Sequence, residues 1–497
     1  MLSSSRSATR RRDSLVILGA AALSAACRPL LRTRGAGAET RTIIANAPPF
    51  SARGDGRADD TAPLRRAIEE AVLTNSILAL SGRYLLSGPL GSVQIRPKGS
   101  LNLHLSGDVE FIVAHTATPF DTLLQVMAET IAGSFIVGGS LTLRLNGRCS
   151  SGIVLRQLQA EDHGVVDWRA SVRVYDARNT RANESTHNHG ILIGGPFDRV
   201  KIVEPVVARV SRERVAGESK ALAVIGYTGL VLIDRPQLSV VAGPQGALDA
   251  DLLALFPAET AGDPYLRRSG MAVVTGGRFT DAQGRSIKLQ GRAQLENNVY
   301  VRTGAVPAIT ESCEVDAQFD GVSEQGAVYL YRFGIDGRSP LGRNHTLMNM
   351  QYLVRDAAAI SIVKNATIDS AVPIRNVIVV NLNRQSRDAG LAIDGLALRT
   401  VGPSPILSRS VVELDAPKVR NWPGQFNLSM THVSGSIGAP LFGYTQANTD
   451  FRRRIRLRIR DNVNTGHARR ISESLSGVDI DLASVTTATN NFGWQMR

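Results

Sequence analysis

His187 and His189 stand one residue apart, on the same side of the chain if the segment is extended. Two imidazoles at that spacing can bind a transition metal, but the sequence names no third ligand, so no metal site is assigned. Side chains that hydrogen-bond a neighbouring turn are the plainer reading, with Glu184 placed to orient either ring. A second group gathers Arg285, Lys288, Gln290, Tyr329, Tyr331, Arg332 and Asp394, a polar, partly basic set with two aromatic rings. Such a set suits a polymer of uronic acids. Elimination from a uronide needs a cation that neutralises the carboxylate, so acidifying the C5 proton, and a base within hydrogen-bond reach of that proton. Arg285 or Arg332 is the candidate carboxylate clamp and Lys288 or His189 the candidate base. Tyr331 would stack on a sugar ring or donate the proton to the leaving oxygen. His187, Glu184, Gln290, Tyr329, Arg332 and Asp394 are candidate substrate contacts. Against each surface Arg or Lys stands the alternative of a solvated strand face.

Residues this far apart in the chain meet only if a repeating element stacks them. From about residue 101 the sequence is a succession of short β runs separated by Gly, Asn and Asp turns, without a sustained helical period. Ile191–Ile193, Leu230–Ile233, Ile287–Gln290, Val328–Tyr331, Ile360–Ile362 and Leu391–Ile393 are examples. Most alternate apolar with other residues, which predicts one buried face, and their repetition favours a solenoid over a sandwich. Aligned on the small residue before each run, Lys288, Tyr329, Ser361 and Ala392 are expected in one outward column, with Gln290, Tyr331, Val363 and Asp394 beside it. Gln245–Leu266 and Pro403–Trp422 read as insertions. Phe451–Arg460 alternates Arg with Ile and Leu, which predicts an edge strand closing the C-terminal end with a row of positive charge.

The N-terminal part carries the most specific pattern. Phe50-Ser-Ala-Arg-Gly-Asp-Gly-Arg-Ala-Asp-Asp-Thr61 is followed by Ala67-Ile68 and then Gly82-Arg-Tyr-Leu-Leu86. Leu64, Ala67, Ile68, Ala71 and Val72 recur at helical spacing, with Asp60 or Thr61 as N-cap and Pro63 in the first turn. A short amphipathic helix laid over the open end of a solenoid would cover its core and unpaired strand edge. This stretch resembles the opening of the pectate-lyase-like proteins. The resemblance implies an all-β chain: a single-stranded right-handed parallel β-helix with a short N-terminal capping helix. It also implies a carbohydrate-active protein, with a polysaccharide lyase first, in which Arg or Ca²⁺ neutralises the uronate, and a monomer or a homotrimer. Polygalacturonase-type hydrolases share that fold and use clustered Asp residues. Their Asn-Thr-Asp, Asp-Asp and Gly-His-Gly motifs are absent from the solenoid part. Arg285-Ser-Ile-Lys288 resembles their Arg-Ile-Lys contact with one extra residue, and Asp356, Asp388 and Asp394 are the carboxylates available for a cluster. The resemblance, which covers Phe50 to Leu86, does not separate these from a non-catalytic polysaccharide-binding protein.

Composition narrows the partners. Thr9-Arg-Arg-Arg12 followed by the uncharged run Val16–Ala26 has the basic and apolar regions of a twin-arginine export signal. Its removal takes the net charge from +13 to +10. A chain this basic favours a polyanion, and export selects an acidic polysaccharide over nucleic acid, in the periplasm or outside the cell. No other run approaches the roughly 20 apolar residues of a membrane span. The low aromatic content, 5%, argues against a lectin-like stacking surface. Cys149 and Cys313 fall too many coils apart to bridge, given coils stacked at about 4.8 Å and a Cα limit of about 7 Å. The organisation expected is an export signal and linker over 1–38, a β-helix over 39–445, and a C-terminal capping strand and tail over 446–497.

Overall fold

The computed structural model describes residues 41–91, 95–159, 163–180, 188–214, 217–243, 249–258, 270–306, 314–320, 326–332, 334–336, 345–353, 359–382, 388–400, 405–415, 424–445, 453–467, 469–475 and 486–495. His187, Glu184, Asp356, Cys313 and the export segment lie outside them. The chain divides into two units, Met1–Arg41 and Thr42–Arg497. The second is a right-handed parallel β-solenoid of about 11 turns.

Each coil contributes one strand to each of three parallel sheets. The middle coils show the order: Cys149–Gln157, His189–Gly194, Ser219–Tyr227, Ala250–Pro257, Ile287–Gln290, Val315–Asp320, Thr346–Leu353, Ile374–Leu382 and Leu407–Asp415 pair in turn as the first sheet. The second sheet runs through Arg199–Val203, Leu230–Asp234, Met271–Thr275, Arg292–Glu296, Gly326–Tyr331 and the first halves of Ala359–Ser370, Ala389–Thr400 and Phe426–Gly435. The third follows on the far side of a sharp corner. That corner is one residue with positive φ, stacked coil upon coil: Glu204, Arg235, Gly276, Asn297, Arg332, Asn365, Gly395, His432, Asp461 and Asn490. Gly and Asn adopt this conformation at little cost, whereas Glu, Arg and His are held there by the strands on either side.

Inward residues of the three sheets form one continuous core, in which like positions stack on successive coils. Phe279 lies on Tyr300 at 5.2 Å between ring centroids, and Phe319 on Tyr352 at 4.7 Å. Two of the polar groups buried with this core are paired: Trp168 Nε1 donates to Ser134 Oγ at 3.0 Å, and the Tyr352 hydroxyl meets Ser361 Oγ at 2.6 Å. Cys149 is buried and directs its thiol at the carbonyls of Ser151 and Asp121.

The N-terminal expectation holds closely. Helix α1 (Thr61–Thr74) buries Leu64, Ala67, Ile68, Ala71 and Val72, the face its spacing predicts. Asp60 occupies the N-cap position without a side-chain cap bond. Its carboxylate instead accepts the N–H groups of Arg53 at 2.7 Å and Gly54 at 3.0 Å, tying the helix start to the Gly-Asp-Gly turn. Gly82 has φ +90°, and a β-carbon there would stand 2.5 Å from the Gly54 carbonyl oxygen. The Gly-x-Tyr element is thus glycine because two chain segments touch.

Three expectations are corrected. Both segments read as insertions carry first-sheet strands, Ala250–Pro257 and Leu407–Asp415, whose apolar runs are short against the Gly-, Pro- and charge-rich sequence around them. Ile455–Arg460 alternates buried Ile or Leu with exposed Arg as predicted, but it is no edge: it pairs with Phe426–Thr431 on one side and Thr486–Thr489 on the other. No helix among the described residues is long and apolar enough to cross a membrane.

Candidate functional site

The first sheet presents the densest chemistry. His189, Lys220 and Asp251 are register partners on successive coils, and Arg285 follows on the next, its carbonyl accepting the Leu252 N–H. Lys220 and Asp251 are fully buried and paired at 2.5 Å. Arg285 Nη1 lies 3.2 Å from both Asp249 and Asp251, and its Nε lies 2.8 Å from Asp316. Lys288, which points outward from Ile287–Gln290, meets Asp249 at 2.6 Å. Three cations and three carboxylates thus balance.

The carboxylates are not equivalent. Burial pushes the Asp249 carboxyl up, but the Lys288 hydrogen bond and the charges of Lys220, Lys288 and Arg285 outweigh it and hold it at about 2. For Asp316 burial wins over the charges of Arg285 and Lys288, and its carboxyl is raised. Two carboxyls shifted in opposite directions therefore flank the same guanidinium.

Below this cluster the outward positions repeat. Lys288-Leu-Gln290, Asp316-Ala-Gln318, Asn349-Met-Gln351, Val379-Val-Asn381 and Glu413-Leu-Asp415 are aligned by register, with the central residue buried each time. The outer face is a strip one coil per step, edged by Gln290, Gln318, Gln351, Asn381 and Asp415. Gln290 Nε2 donates to Gln318 Oε1 at 2.9 Å, and Asn381 Nδ2 to Asn349 Oδ1 at 2.5 Å. Before Lys288 the same column is apolar and buried: Val154, Leu192, Ala223 and Ala254.

The structure brings Arg285 and Lys288 together and keeps His189 in the Arg285 column, three coils away, or about 14 Å at the usual strand spacing. His189 is 2% exposed, and its backbone N–H donates to Ser151 Oγ at 3.1 Å. Tyr329 and Tyr331 lie on the second sheet, so the expected column joining them to Lys288 is corrected. Within the second sheet Tyr329 registers with Ile362 and Ala392, while Ser361 points inward. The cause is a shared small-residue sequence pattern before strands of both sheets, which let strands of different sheets be aligned with one another. Arg332 is a corner residue with φ 52°, 3.4 Å from Asn297 Oδ1. Asp394 is exposed and pairs with His432 at 2.9 Å. Among the described residues no His, Cys, Asp and Glu group has the arrangement of a metal site. Sequence reasoning missed Asp249, Asp251, Asp316, Gln318, Gln351 and Asn381. The signal that finds Asp316, Gln318, Gln351 and Asn381 is the outward–inward–amide triplet recurring through the chain; Asp249 and Asp251 fall outside it.

No family model matches the chain, and no curated protein matches it. Solved structures that align with it include ORF18 of Geobacillus virus E2, at 11% identity and a TM-score of 0.38, covering 82% of this chain and 68% of that one. The Dettilon tailspike protein aligns at 12% identity and a TM-score of 0.31, over 82% of this chain and 66% of its own. PfbA, a surface adhesin of Streptococcus pneumoniae, aligns at 8% identity and a TM-score of 0.28, over 91% and 92%. At these scores the alignments carry no argument about ligand or chemistry, and the fold rests on the strand pairings.

Proposed function

We propose that this protein is an exported, carbohydrate-active member of the pectate-lyase-like group that holds an acidic polysaccharide along the outer face of its first sheet. The observation that carries the reading is the strip of stacked amides and carboxylates from Gln290 to Asp415, continuous with Lys288. A linear polymer with recurring hydroxyls is matched by hydrogen-bonding groups that recur along a straight line on a rigid scaffold. The net charge of +13 favours a polyanion.

Cleavage at the Arg285 cluster is the second reading, and the divergent Asp249 and Asp316 favour it. A glycosidase needs one carboxyl that keeps its proton and one that stays ionised. Elimination, with Lys288 as base, needs a neutral amine. Lys288 is instead salt-bridged to Asp249 at 2.6 Å, an arrangement that suits a carboxylate clamp. Incubation of the purified protein with acidic polysaccharides, followed for unsaturated uronides and for new reducing ends, separates these chemistries. Reducing ends without unsaturation, lost in Asp316→Asn, would mark hydrolysis, and unsaturated products elimination. Retention of the polymer without either would leave a binding protein. Failure to retain any acidic polysaccharide would overturn the proposal.

A further inference from the structure

The second sheet carries a different surface, independent of the strip on the first. Val328 and Leu330 are buried, so Tyr329 and Tyr331 both face outward, their rings 5.8 Å apart and inclined by only 12°. Along the axis Tyr329 registers with Ile362, Ala392, Ser429 and Arg458 in turn, and Tyr331 with Lys364 and Asp394. The outward side chains shrink at Gly390, Ala392 and Ser429. They floor a groove of about 610 Å³ that the next coil walls with Arg456 and Arg458. Arg456 donates to the carbonyls of Arg453 and Ile455, and neither arginine has a carboxylate partner among the described residues. Asp388, the carboxylate that lines the groove, accepts the Gln425 N–H at 2.8 Å. From the tyrosines to Arg458 is four coils, about 19 Å.

We propose that this groove is a second glycan site, which takes a carboxylate-bearing oligosaccharide lengthwise along the solenoid. One sugar ring lies on the Tyr329–Tyr331 platform, and a carboxylate several rings further on meets Arg458 and Arg456. Paired tyrosines offer a flat apolar face to the C–H side of a pyranose. Guanidinium groups match a carboxylate in shape and charge. A single-stranded nucleic acid fits less well. It needs aromatic platforms for successive bases, and the coils before and after this one place Gln294 and Ile362 in the Tyr329 column.

The test is equilibrium binding of oligogalacturonate, of an uncharged maltooligosaccharide and of oligothymidylate to the wild type, Arg458→Gln, Tyr331→Ala and Gln318→Ala. Arg458 is exposed, so its replacement leaves the fold intact. Arg458→Gln should weaken oligogalacturonate binding about tenfold, the scale of one charge-assisted hydrogen bond, and flatten its salt dependence. Tyr331→Ala should weaken it about threefold or more, without the salt effect. Gln318→Ala, on the other sheet, should leave the contribution of Arg458 unchanged. Oligogalacturonate binding that is equal in wild type and Arg458→Gln would overturn the proposal. So would tighter binding of oligothymidylate, or no preference over the uncharged sugar.

Discussion

Lys288 Nζ and Asp249 Oδ1 meet at 2.6 Å across two successive coils, and the aspartate that makes this contact is 40% exposed while its neighbour Asp251 is fully buried. The two carboxylates therefore do different work. Asp249 holds a side chain at the surface, and Asp251 compensates a lysine that has no access to water.

That difference predicts unequal costs. Asp251→Asn leaves Lys220 buried beside a neutral amide and should destabilise the fold by about 3–5 kcal/mol, the range for breaking a buried pair. Asp249→Asn, screened by solvent, should cost about 1 kcal/mol or less. Urea denaturation of the two variants checks this, and equal midpoints would contradict it.

Acid sensitivity should reside in a second buried group. Glu314 lies between Arg302, His345 and Ser286. Burial pushes its carboxyl up, but the Arg302 charge and the His345 hydrogen bond outweigh it and hold it at about 2, below the usual 4.5. Its stabilisation is complete above 4.5 and is lost as the pH falls towards 2. Burial pushes His345 below 6.5 despite its contact with Glu314, so the unfolded chain takes up that proton first and stability falls as the pH drops below 6.5. Asp316 and Glu413, both raised by burial, work in the opposite direction, losing stability as the pH rises above 3.8 and 4.5. Urea midpoints across this range should fall on acidification, and His345→Asn should flatten the upper part of the fall. An unchanged slope in that variant would contradict the assignment.

The close approach behind the N-terminal pattern is also measurable. Gly82→Ala forces a β-carbon against the Gly54 carbonyl at a positive φ. It should destabilise the protein by more than about 1 kcal/mol, whereas alanine at Gly107, which has open space around it, should pay only for its φ of +79°. Thermal unfolding of the two variants should rank Gly82→Ala clearly lower.

The fold was legible because its signals are local. The face of α1, the Gly82–Tyr84 element and the alternation of Ile455–Arg460 are each set by neighbours in sequence. The site was not, because a solenoid assembles it from register. Lys288 and Tyr329 both follow small residues in the sequence, yet one strand belongs to the first sheet and the other to the second, and nothing in the local sequence distinguishes them. Arg285 and Lys288 were found as cations, but their partners Asp249 and Asp316 are separated from them by about one coil each, a distance over which charge pairing leaves no local mark. The polar strip would have emerged from comparing Lys288-Leu-Gln290 with Asp316-Ala-Gln318 and Asn349-Met-Gln351.

The most direct measurement is the retention of the purified protein on immobilised polygalacturonate against an immobilised neutral glucan, for wild type and for Gln318→Ala with Gln351→Ala. Specific retention of the wild type on polygalacturonate, weakened about tenfold in the double variant by the loss of two hydrogen-bonding side chains, is the result expected. Retention that is indifferent to the acid, or unaltered when the two amides are removed, would contradict the assignment of the first-sheet strip as the polysaccharide-binding face.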